Sequence, residues 1–507
     1  MKIVKFLQGR GLVSAYGFLS YKCHPIRCNR VVTRVLQAPL CTASSGDNIP
    51  QVCIVGSGPA GFYTAQSLLK GDKKLTVDIY DKLPVPFGLV RFGVAPDHPE
   101  VKNVINQFST LAEGQRCSFV GNVNVGQDVS VEHLLQAYDI VVLSYGAEDD
   151  TTLGVPGEDL PGVYSARSFV GWYNGLPEDT HLNPDLKSSD TAVVIGQGNV
   201  ALDVARILLT PIDLLKKTDI TEHALEAIRE SAIRRVYLIG RRGPLQVAFT
   251  VKELREMVKL PGCRPSLNAE DFVGIPDKIK ELPRVRKRLT ELMVKTATEA
   301  PSGAEAERQA QAKNEWGLKF CRSPVEFLPD ASGSRVGAVR LGINKLQVID
   351  GIEKAVPTGE TEDFPCGLVL RSIGYKSLPL DPMVPFDSKK GVIPSTEGRV
   401  PGVKGLYCSG WVKRGPTGVI LSSLNDAMET AKCILKDLSA GELEASHQAG
   451  WGKDEILKHL HQKDVQPVLY EDWKRIDAEE TRRGEEVGKP REKLTSLEEM
   501  LHYAFKH

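Results

Sequence analysis

The sequence predicts an α/β fold of two Rossmann-like, parallel-sheet lobes, with the second lobe inserted into a discontinuous first lobe. An apolar run, a glycine-rich turn and a helix-compatible run follow one another twice, beginning at Gln51 and at Thr191. A further glycine-ended apolar run near Gly405 comes after the second unit. Because that strand would return the chain to the first sheet, we expect the second lobe to lie between two segments of the first.

Length and composition are consistent with this fold. The 507 residues exceed what one ordinary hydrophobic core supports, and the 41% hydrophobic and 25% charged residues are typical of a globular protein. The 64 basic and 64 acidic residues give a formal net charge of zero, which does not indicate a nucleic-acid partner. The sequence contains no transmembrane segment, since no stretch approaches the roughly 18 apolar residues that span a membrane.

The first 46 residues differ from the rest in charge. They contain seven basic residues and no acid, and the first acid is Asp47. A basic, hydroxyl-containing segment without acids is typical of a mitochondrial transit peptide, so residues 1–46 are predicted to be one. A secretory signal is disfavoured because glycine and hydroxyl residues interrupt its best apolar stretch, Gly11–Tyr21. Removal of the leader would leave a mildly acidic protein.

The first strand, Gln51–Val55, leads into the sequence Gly56-Ser-Gly58-Pro-Ala60-Gly61 and then into a predicted helix, Phe62–Leu69. In such a GxGxxG motif the first glycine permits a tight turn, and the second lets the backbone approach a pyrophosphate. The third glycine lets helix and strand pack closely. The helix start then offers amide groups to the phosphate charge, which predicts a dinucleotide site.

The next predicted strand, Leu75–Tyr80, ends in Asp81, 20 residues after the third glycine. A carboxylate at this spacing can bind the ribose of an adenosine. A structural βαβ unit with an incidental acid is the alternative. The motif alone does not separate the two.

A long Pro/Gly-rich loop, Leu83–His98, follows Asp81. A loop of this length indicates the lining of a larger ligand, although an ordinary connection is equally compatible. Arg91 and His98 could place charge there, but a lone histidine is more often structural.

The second unit repeats the pattern as GxGxxA. Strand Thr191–Ile195 precedes Gly196-Gln-Gly198-Asn-Val-Ala201, in which alanine tolerates slightly wider packing. Its next strand, Arg235–Ile239, ends in Arg241 and Arg242 rather than in an acid. An arginine pair suits a 2′-phosphate, so this site is predicted to take NADP(H), and the first site FAD. A solvated turn is the alternative for the arginine pair.

Glycine-ended strands at Ile140–Ala147 and Gly405–Trp411 complete the first lobe. The predicted divisions are a transit peptide (1–46), the first part of the FAD lobe (47–149), the NADP lobe (150–375) and the second part of the FAD lobe with a C-terminal extension (376–507). In that extension, Trp473 and the run from Met500 are expected to pack locally.

The ten cysteines do not predict a metal site or a disulfide framework, because no pair after the leader has CxxC spacing. Cys23 and Cys28 form a CxxxxC, but they lie in the leader and are interpreted as a coincidence. Most of the other cysteines are expected to be small buried residues.

Five segments together resemble the mitochondrial NADPH:adrenodoxin (ferredoxin) oxidoreductase family, which shares its fold with glutathione-reductase-like flavoproteins. These segments are Val52–Gly61, Val85–Val101, Gly196–Pro211, Gly240–Met257 and Tyr407–Ile420. The resemblance implies FAD in the first lobe, NADPH in the inserted lobe, and electrons leaving singly to an acidic, adrenodoxin-like [2Fe–2S] ferredoxin. That ferredoxin would supply mitochondrial cytochromes P450 or iron–sulfur cluster assembly. A location in the matrix, in some cases against the inner membrane, is implied.

The motifs and the resemblance together imply two sets of contacts. Those to FAD are Gly56, Gly58, Ala60, Gly61, Asp81, Leu89, Val125, Trp411, Gly418, Val419 and Ile420. Those to NADP are Gln197, Gly198, Asn199, Val200, Arg241, Arg242, Glu253 and Gly418. Glu253 is expected to orient the nicotinamide side of the dinucleotide. No catalytic nucleophile is expected, because the cofactors carry the chemistry.

Two positions depart from common patterns. Position 81 carries Asp where the family commonly has Glu, which makes the ribose contact one methylene shorter. Position 411 carries Trp where many related flavoproteins have Asp. Adrenodoxin reductases share this Trp, which supports the narrower family.

A basic cluster offers a docking site for the acidic ferredoxin. Six basic residues and one acid fall between Lys278 and Arg288, and we expect Arg284 and Arg288 to bind the partner in a transient electrostatic complex. A solvated helix face is the alternative.

Three other functions stay open. A disulfide reductase would need a CxxxxC shortly after the FAD loop, and the sequence has none there. A monooxygenase would consume oxygen and an organic substrate. A redox-inactive nucleotide-binding scaffold would not bleach with NADPH.

Overall fold

The computed structural model describes residues 49–418, 420–443 and 451–506. The predicted transit peptide, Cys23, Cys28 and Val419 lie outside these residues. The described part of the chain contains seventeen strands. They are β1 (Gln51–Val55), β2 (Thr76–Tyr80), β3 (Cys117–Gly121), β4 (Ile140–Leu143), β5 (Asp149–Asp150), β6 (Val163–Ser165), β7 (Thr191–Ile195), β8 (Arg235–Ile239), β9 (Cys263–Leu267), β10 (Asn314–Lys319), β11 (Arg322–Pro329), β12 (Val336–Ile349), β13 (Ile352–Pro365), β14 (Leu368–Arg371), β15 (Tyr375–Lys376), β16 (Leu406–Cys408) and β17 (Val468–Leu469).

Eighteen α-helices lie in the same described ranges. They are α1 (Pro59–Gly71), α2 (Leu89–Phe92), α3 (Pro99–Lys102), α4 (Val104–Ala112), α5 (Val131–Ala137), α6 (Ala166–Asn174), α7 (Asn199–Leu209), α8 (Ile212–Leu215), α9 (Glu222–Arg229), α10 (Val251–Val258), α11 (Ile275–Lys278), α12 (Arg284–Thr298), α13 (Ala304–Ala310), α14 (Trp411–Arg414), α15 (Ile420–Ser439), α16 (Trp451–Gln462), α17 (Tyr470–Val487) and α18 (Leu497–Ala504).

The first lobe is built on a six-stranded sheet of order β16-β4-β1-β2-β3-β17, in which only β17 is antiparallel to its neighbour. Strands β1 and β4 are completely buried, because helices cover both faces of a parallel sheet. Helix α1 packs against α15 on one face, and α5 packs against α16 on the other.

The second lobe is built on a parallel sheet of order β6-β14-β7-β8-β10-β9. An antiparallel sheet of β11, β12 and β13 packs on one of its faces, where Phe327, Val339 and Leu341 share a buried cluster with Val193 and Ile239. The other face packs on α6, α7, α9, α10 and α12.

All strands of the second sheet lie between β5 and β15 in sequence. These two short strands pair antiparallel, with Tyr375 opposite Asp150 and Lys376 opposite Asp149, so the chain leaves and re-enters the first lobe at one place. The predicted insertion of one α/β lobe into the other is therefore confirmed. The predicted boundaries at 149/150 and 375/376 fall at this strand pair and stay predictions.

The expectation of local packing for the C-terminal extension is wrong for Trp473, whereas Tyr503, in the run from Met500, lies 3.3 Å from Arg483 on the neighbouring helix α17. Trp473 is buried against Phe87 and lies beneath the guanidinium of Arg91, nearly 400 residues earlier in the chain. The segment after α17 also reaches the second lobe, where Lys489 contacts Ile220. Sequence periodicity reports which residues are buried but not which distant residues cover them.

Six of the seven cysteines in the described residues are buried, as expected. Every helix in the described ranges is too short or too polar to cross a lipid bilayer.

Candidate functional site

The glycines of the first turn have different structural roles. A Cβ on Gly56, whose φ is +106°, would lie 2.6 Å from the carbonyl oxygen of Ser144, and a Cβ on Gly61 would lie 2.0 Å from the carbonyl oxygen of Gly56. A Cβ on Gly58 would meet nothing within 4 Å. The turn is therefore closed by packing at its ends and open at Gly58, where a pyrophosphate can approach the amides that begin α1.

Asp81, at the end of β2, is bonded to this turn. One of its carboxylate oxygens accepts hydrogen bonds from the amide of Ser57 at 2.8 Å and from the hydroxyl of Ser57 at 2.6 Å. The amide of Leu83 donates to the other oxygen at 3.0 Å. Burial raises the pKa of Asp81, and the bonds from Ser57 and Leu83 act to lower it. The predicted ribose ligand thus also fixes the shape of the glycine turn.

The long loop after Asp81 folds back over the glycine turn. The amide of Phe87 donates to the carbonyl of Ser57 at 3.1 Å, and a Cβ on Gly88 would lie 3.1 Å from the Cα of Gly58. Leu89 follows as the half-buried first residue of α2. This contact favours the ligand-lining interpretation of the loop over an ordinary connection.

The returning strand β16 places the remaining predicted FAD residues. A Cβ on Gly410 would lie 2.4 Å from the Cβ of Ala60, so Trp411 begins α14 beside the first turn of α1. The Trp411 ring lies 5.7 Å from the ring of Tyr375. Gly418 has a φ of +84°, and Ile420 begins α15. The side chain of Val125 is buried in the first-lobe core.

The second turn repeats the geometry of the first. A Cβ on Gly196, whose φ is +132°, would lie 2.1 Å from the carbonyl oxygen of Ser372, whereas a Cβ on Gly198 would meet nothing within 4 Å. Ala201 takes the place of the third glycine and is fully buried. This turn too is open only at its second glycine.

Two predicted NADP ligands use their side chains to hold the turn. The amide nitrogen Nε2 of Gln197 lies 3.2 Å from the carbonyl oxygens of Leu238 and Lys319. The side-chain oxygen of Asn199 accepts a hydrogen bond from the amide of Thr250 at 2.9 Å. Residues 197–200 therefore leave mainly their backbone to contact a nucleotide if one binds here, and Val200 is half-buried against the core.

Arg241 and Arg242 are exposed, but their main chain is fixed. Asn344 donates to the carbonyl of Arg241 at 3.1 Å, and the amide of Cys321 donates to the carbonyl of Arg242 at 3.0 Å. Among the described residues, neither guanidinium has a carboxylate partner. A rigid turn that carries two free guanidinium groups fits a phosphate better than it fits an ordinary solvated turn.

A cluster of charged residues between the two turns was not predicted from the sequence. His98 Nε2 lies 2.8 Å from Glu256 Oε2, while Arg206 donates to Asp203 at 2.8 Å and approaches His98 Nδ1 at 3.2 Å. Arg206 also binds Asp97 through two hydrogen bonds. The loop after Asp81 thus contacts the second lobe through charges. Its partners are more than 100 residues away, so local spacing gave no signal.

Glu253 lies in this cluster, with Oε2 buried, without a hydrogen bond and 3.6 Å from Arg206 Nη1. Burial and the nearby carboxylate of Asp203 raise the pKa of Glu253. Ligand atoms of His98, Asp203 and Glu253 lie within 4.8 Å of one another, and the guanidinium of Arg206 supplies the cation among them. The free oxygen of Glu253 is available to accept a hydrogen bond from a bound molecule.

Several side chains of the basic cluster at 278–288 already have partners within the protein. Lys278 pairs with Glu353, Arg286 donates to the carbonyl of Val247 at 2.6 Å, and Lys287 lies 4.0 Å from Glu291. Arg284 and Arg288 are exposed and have no ion-pair partner in the part of the chain that the structure describes. They lie in the first two turns of α12, where the helix dipole favours acids, so helix stability does not explain them.

Comparisons with known proteins show similarity over most of the chain. Residues 50–259 match the pyridine nucleotide-disulphide oxidoreductase family. The chain is 62% identical over 458 residues to a human protein named "NADPH:adrenodoxin oxidoreductase, mitochondrial", covering 90% of this chain and 92% of that protein. A protein of the same name from Arabidopsis thaliana is 48% identical over 472 residues, with 90% and 96% covered.

A solved structure described as "Mycobacterium tuberculosis FprA in complex with NADPH" has the same fold. It superposes with a TM-score of 0.83 at 41% identity and covers 90% of this chain and 99% of that one.

Proposed function

The chain belongs to the family of mitochondrial NADPH:adrenodoxin oxidoreductases, and we propose that the two glycine turns described above are its FAD and NADPH sites. It is an NADPH-dependent flavoprotein oxidoreductase that passes electrons to a ferredoxin. The observation that carries the site assignment is the contrast between two otherwise matching turns. One is bonded to a carboxylate and the other is followed by two free arginines.

The chain's own residues would hold each cofactor in the following way. The amides around Gly58 bind the pyrophosphate of FAD, while Asp81 keeps that turn in shape and faces the ribose. Arg241 and Arg242 bind the 2′-phosphate that distinguishes NADPH from NADH. Glu253 accepts a hydrogen bond from the nicotinamide side through its free oxygen.

When bound, FAD supplies the conversion between the two electrons that NADPH donates and the single electrons that a [2Fe–2S] cluster accepts. The protein therefore needs no nucleophile. Trp411 and Gly418 would border the flavin. The charged cluster joins the two lobes through the contacts of Arg206 with Asp97 and of Glu256 with His98.

The ferredoxin docks at Arg284 and Arg288. Their free guanidinium groups suit an acidic, adrenodoxin-like partner, and an exposed electrostatic contact favours fast, transient association. The relatives are named as mitochondrial. We infer that the protein acts on the matrix side and in part against the inner membrane, where the ferredoxin supplies cytochromes P450 or iron–sulfur cluster assembly.

The decisive experiment is NADPH-driven reduction of cytochrome c with and without a [2Fe–2S] ferredoxin. We expect reduction to depend on ferredoxin. Fast reduction without ferredoxin would contradict the proposed electron path, and oxygen uptake that requires an organic substrate would indicate a monooxygenase. A protein that binds flavin but does not bleach with NADPH would be a redox-inactive scaffold.

A further inference from the structure

The segment between α17 and α18 is anchored on the first lobe by a buried acid. Glu480, which is fully buried, pairs with the buried guanidinium of Arg91. Glu480 also accepts hydrogen bonds from the amide of Leu494 at 3.0 Å and from Arg491 at 3.1 Å. The chain from Lys489 to Leu494 is therefore held at a fixed place on the first lobe.

The same segment forms hydrogen bonds and ion pairs with a short stretch of the second lobe, Asp219–Glu222, which ends at the first residue of α9. Lys489 donates to the carbonyl of Ile220 at 3.0 Å and to the carboxylate of Glu222 at 2.8 Å. Lys493 lies 3.0 Å from both the carbonyl and the carboxylate of Asp219. In return, the amide of Glu222 donates to Glu492 at 2.8 Å.

A third lysine reaches the same acid from another part of the first lobe. Lys102, at the end of α3, donates to both carboxylate oxygens of Asp219 at 2.7 Å. Asp219 is thus held by two first-lobe lysines that are nearly 400 residues apart in sequence. We call Lys102, Lys489 and Lys493 with Asp219–Glu222 the interlobe clasp.

The burial of these charges needs an explanation. The side chains of Lys489 and Lys493 are each only 1% exposed. Buried ion pairs are weak contributors to stability, since apolar residues of similar volume often do as well, but their directional bonds can fix one arrangement. The lobes are joined covalently at β5 and β15, and Asp97 and His98 of the first lobe also contact Arg206 and Glu256 of the second. The clasp adds a separate set of buried contacts to these.

We propose that the interlobe clasp positions the NADPH lobe against the FAD lobe for hydride transfer, an inference that rests on the proposed function. Hydride transfer needs reacting atoms about 3–3.5 Å apart, and a misplacement of about 1 Å can cost roughly a hundredfold in rate. Each glycine turn lies in one lobe, so a small rotation between lobes changes that distance without altering either turn. Lys493 and Asp219 are positioning residues that act through the lobes.

The test uses Lys493→Met in the FAD-loaded enzyme, with Lys474→Met as a matched control. Lys474 lies on α17, and among the described residues its ion pairs are only with Glu471 and Glu113 of its own lobe. For Lys493→Met we expect flavin bleaching at saturating NADPH to slow by about tenfold or more. The Kd for NADPH should change less than about twofold, because the 2′-phosphate site is untouched. The control should match the wild type.

Two structural readouts accompany the kinetics. Amide hydrogen exchange at residues 219–222 should become faster, and the radius of gyration from small-angle X-ray scattering should rise. If Lys493→Met fails to fold, Glu222→Gln can be used instead. This substitution removes only the ion pair with Lys489 from the clasp, and the side chain of Glu222 is 42% exposed. We expect the same changes in smaller degree.

The outcomes separate the two proposals. Wild-type bleaching rates with unchanged exchange and scattering in Lys493→Met or in Glu222→Gln would overturn the clasp. So would a variant that loses only thermal stability while its FAD-loaded fraction bleaches at full rate. A wild-type enzyme that bleaches with NADPH but does not reduce ferredoxin would contradict the proposed function and leave the clasp test valid.

Discussion

The amide and the hydroxyl of Ser57 donate to the same carboxylate oxygen of Asp81, at 2.8 and 2.6 Å. Ser57 lies between the first two glycines of the FAD turn, so the acid at the end of β2 holds the backbone that faces the pyrophosphate. The side chain of Asp81, one methylene shorter than the Glu common in the family, is thereby bonded to the turn directly.

Asp81→Ala should lower the affinity for FAD by roughly tenfold or more, because the turn loses charge-assisted hydrogen bonds worth about 1.5–3 kcal/mol. Ser57→Ala, which retains the amide donor, should have a smaller effect. The ratio of flavin to protein absorbance and an FAD titration of the apoprotein measure both. Unchanged flavin content in Asp81→Ala would contradict this role.

Gly58→Ala and Gly61→Ala should impair different properties, FAD binding in the first case and thermal stability in the second. The Cβ on Gly58 meets nothing within 4 Å, so that variant should fold with near-normal thermal stability but bind FAD weakly. The Cβ on Gly61 would lie 2.0 Å from a backbone oxygen, so that variant should lose thermal stability even without FAD. Melting temperatures of the two apoproteins decide the matter. Equal melting temperatures would mean that the third glycine is not needed for packing.

Replacement of Arg241 and Arg242 by Ala should lower the affinity for NADPH by roughly ten- to a hundredfold and leave the affinity for NADH nearly unchanged. The reason is that NADH lacks the 2′-phosphate. Arg235→Ala is the control, since Arg235 lies at the other end of β8 and pairs with Asp190 at 2.7 Å. Titrations with both dinucleotides give the comparison. Equal losses for NADPH and NADH would show that the pair does not bind the phosphate.

Charge reversal at Arg284 and Arg288 should raise the apparent KM for ferredoxin by about tenfold at low salt. Reduction of a small dye by NADPH should not change, because the FAD and NADPH sites are intact. Lys295→Glu, on the same helix but already paired with Glu299, serves as the control. If the double variant keeps wild-type ferredoxin kinetics at low ionic strength, the docking surface lies elsewhere.

Asp179→Asn should stabilise the enzyme at alkaline pH. Asp179 is 5% exposed, one of its carboxylate oxygens lacks a hydrogen bond, and burial raises its pKa to about 6. Because the folded pKa lies above the unfolded one, the stabilising contribution is complete below about pH 4 and is lost as pH rises through about 6. The variant should therefore gain about 1–2 kcal/mol at pH 8 and less at pH 5.

Urea unfolding at the two pH values measures this gain, with the exposed Asp159→Asn as control. A gain at pH 5 as large as that at pH 8 would contradict the titration of Asp179 as its cause.

The sequence predicted the buried parallel strands well. Strands β1, β7 and β8 have the predicted bounds, because strands inside a parallel sheet appear as short apolar runs that end at glycine. Helix α1 begins at Pro59, three residues before the predicted start, since proline is tolerated in a first helical turn. The antiparallel hairpin of β12 and β13 was not predicted, because its half-exposed strands mix charged and apolar residues.

Of the candidate sites, only the parts formed by residues close together in sequence were predicted. The turns at Gly56 and Gly196 and the free pair Arg241 and Arg242 follow from residues close in sequence. His98 illustrates the limit. Its partner Glu256 lies 158 positions away, and no spacing in the chain distinguishes it from a solitary structural histidine.

The pairing of β4 with β16 joins Val141 to Leu406 across 265 positions of sequence, which makes the first sheet costly to close during folding. The strand pair of β5 and β15 reduces that cost. Once the inserted lobe has folded, its two ends lie side by side, and the long loop between β4 and β16 becomes short. We therefore expect the inserted lobe to fold first and to bring the two halves of the first sheet together. A substitution that slows the inserted lobe would then delay acquisition of FAD by a domain whose own residues are unchanged.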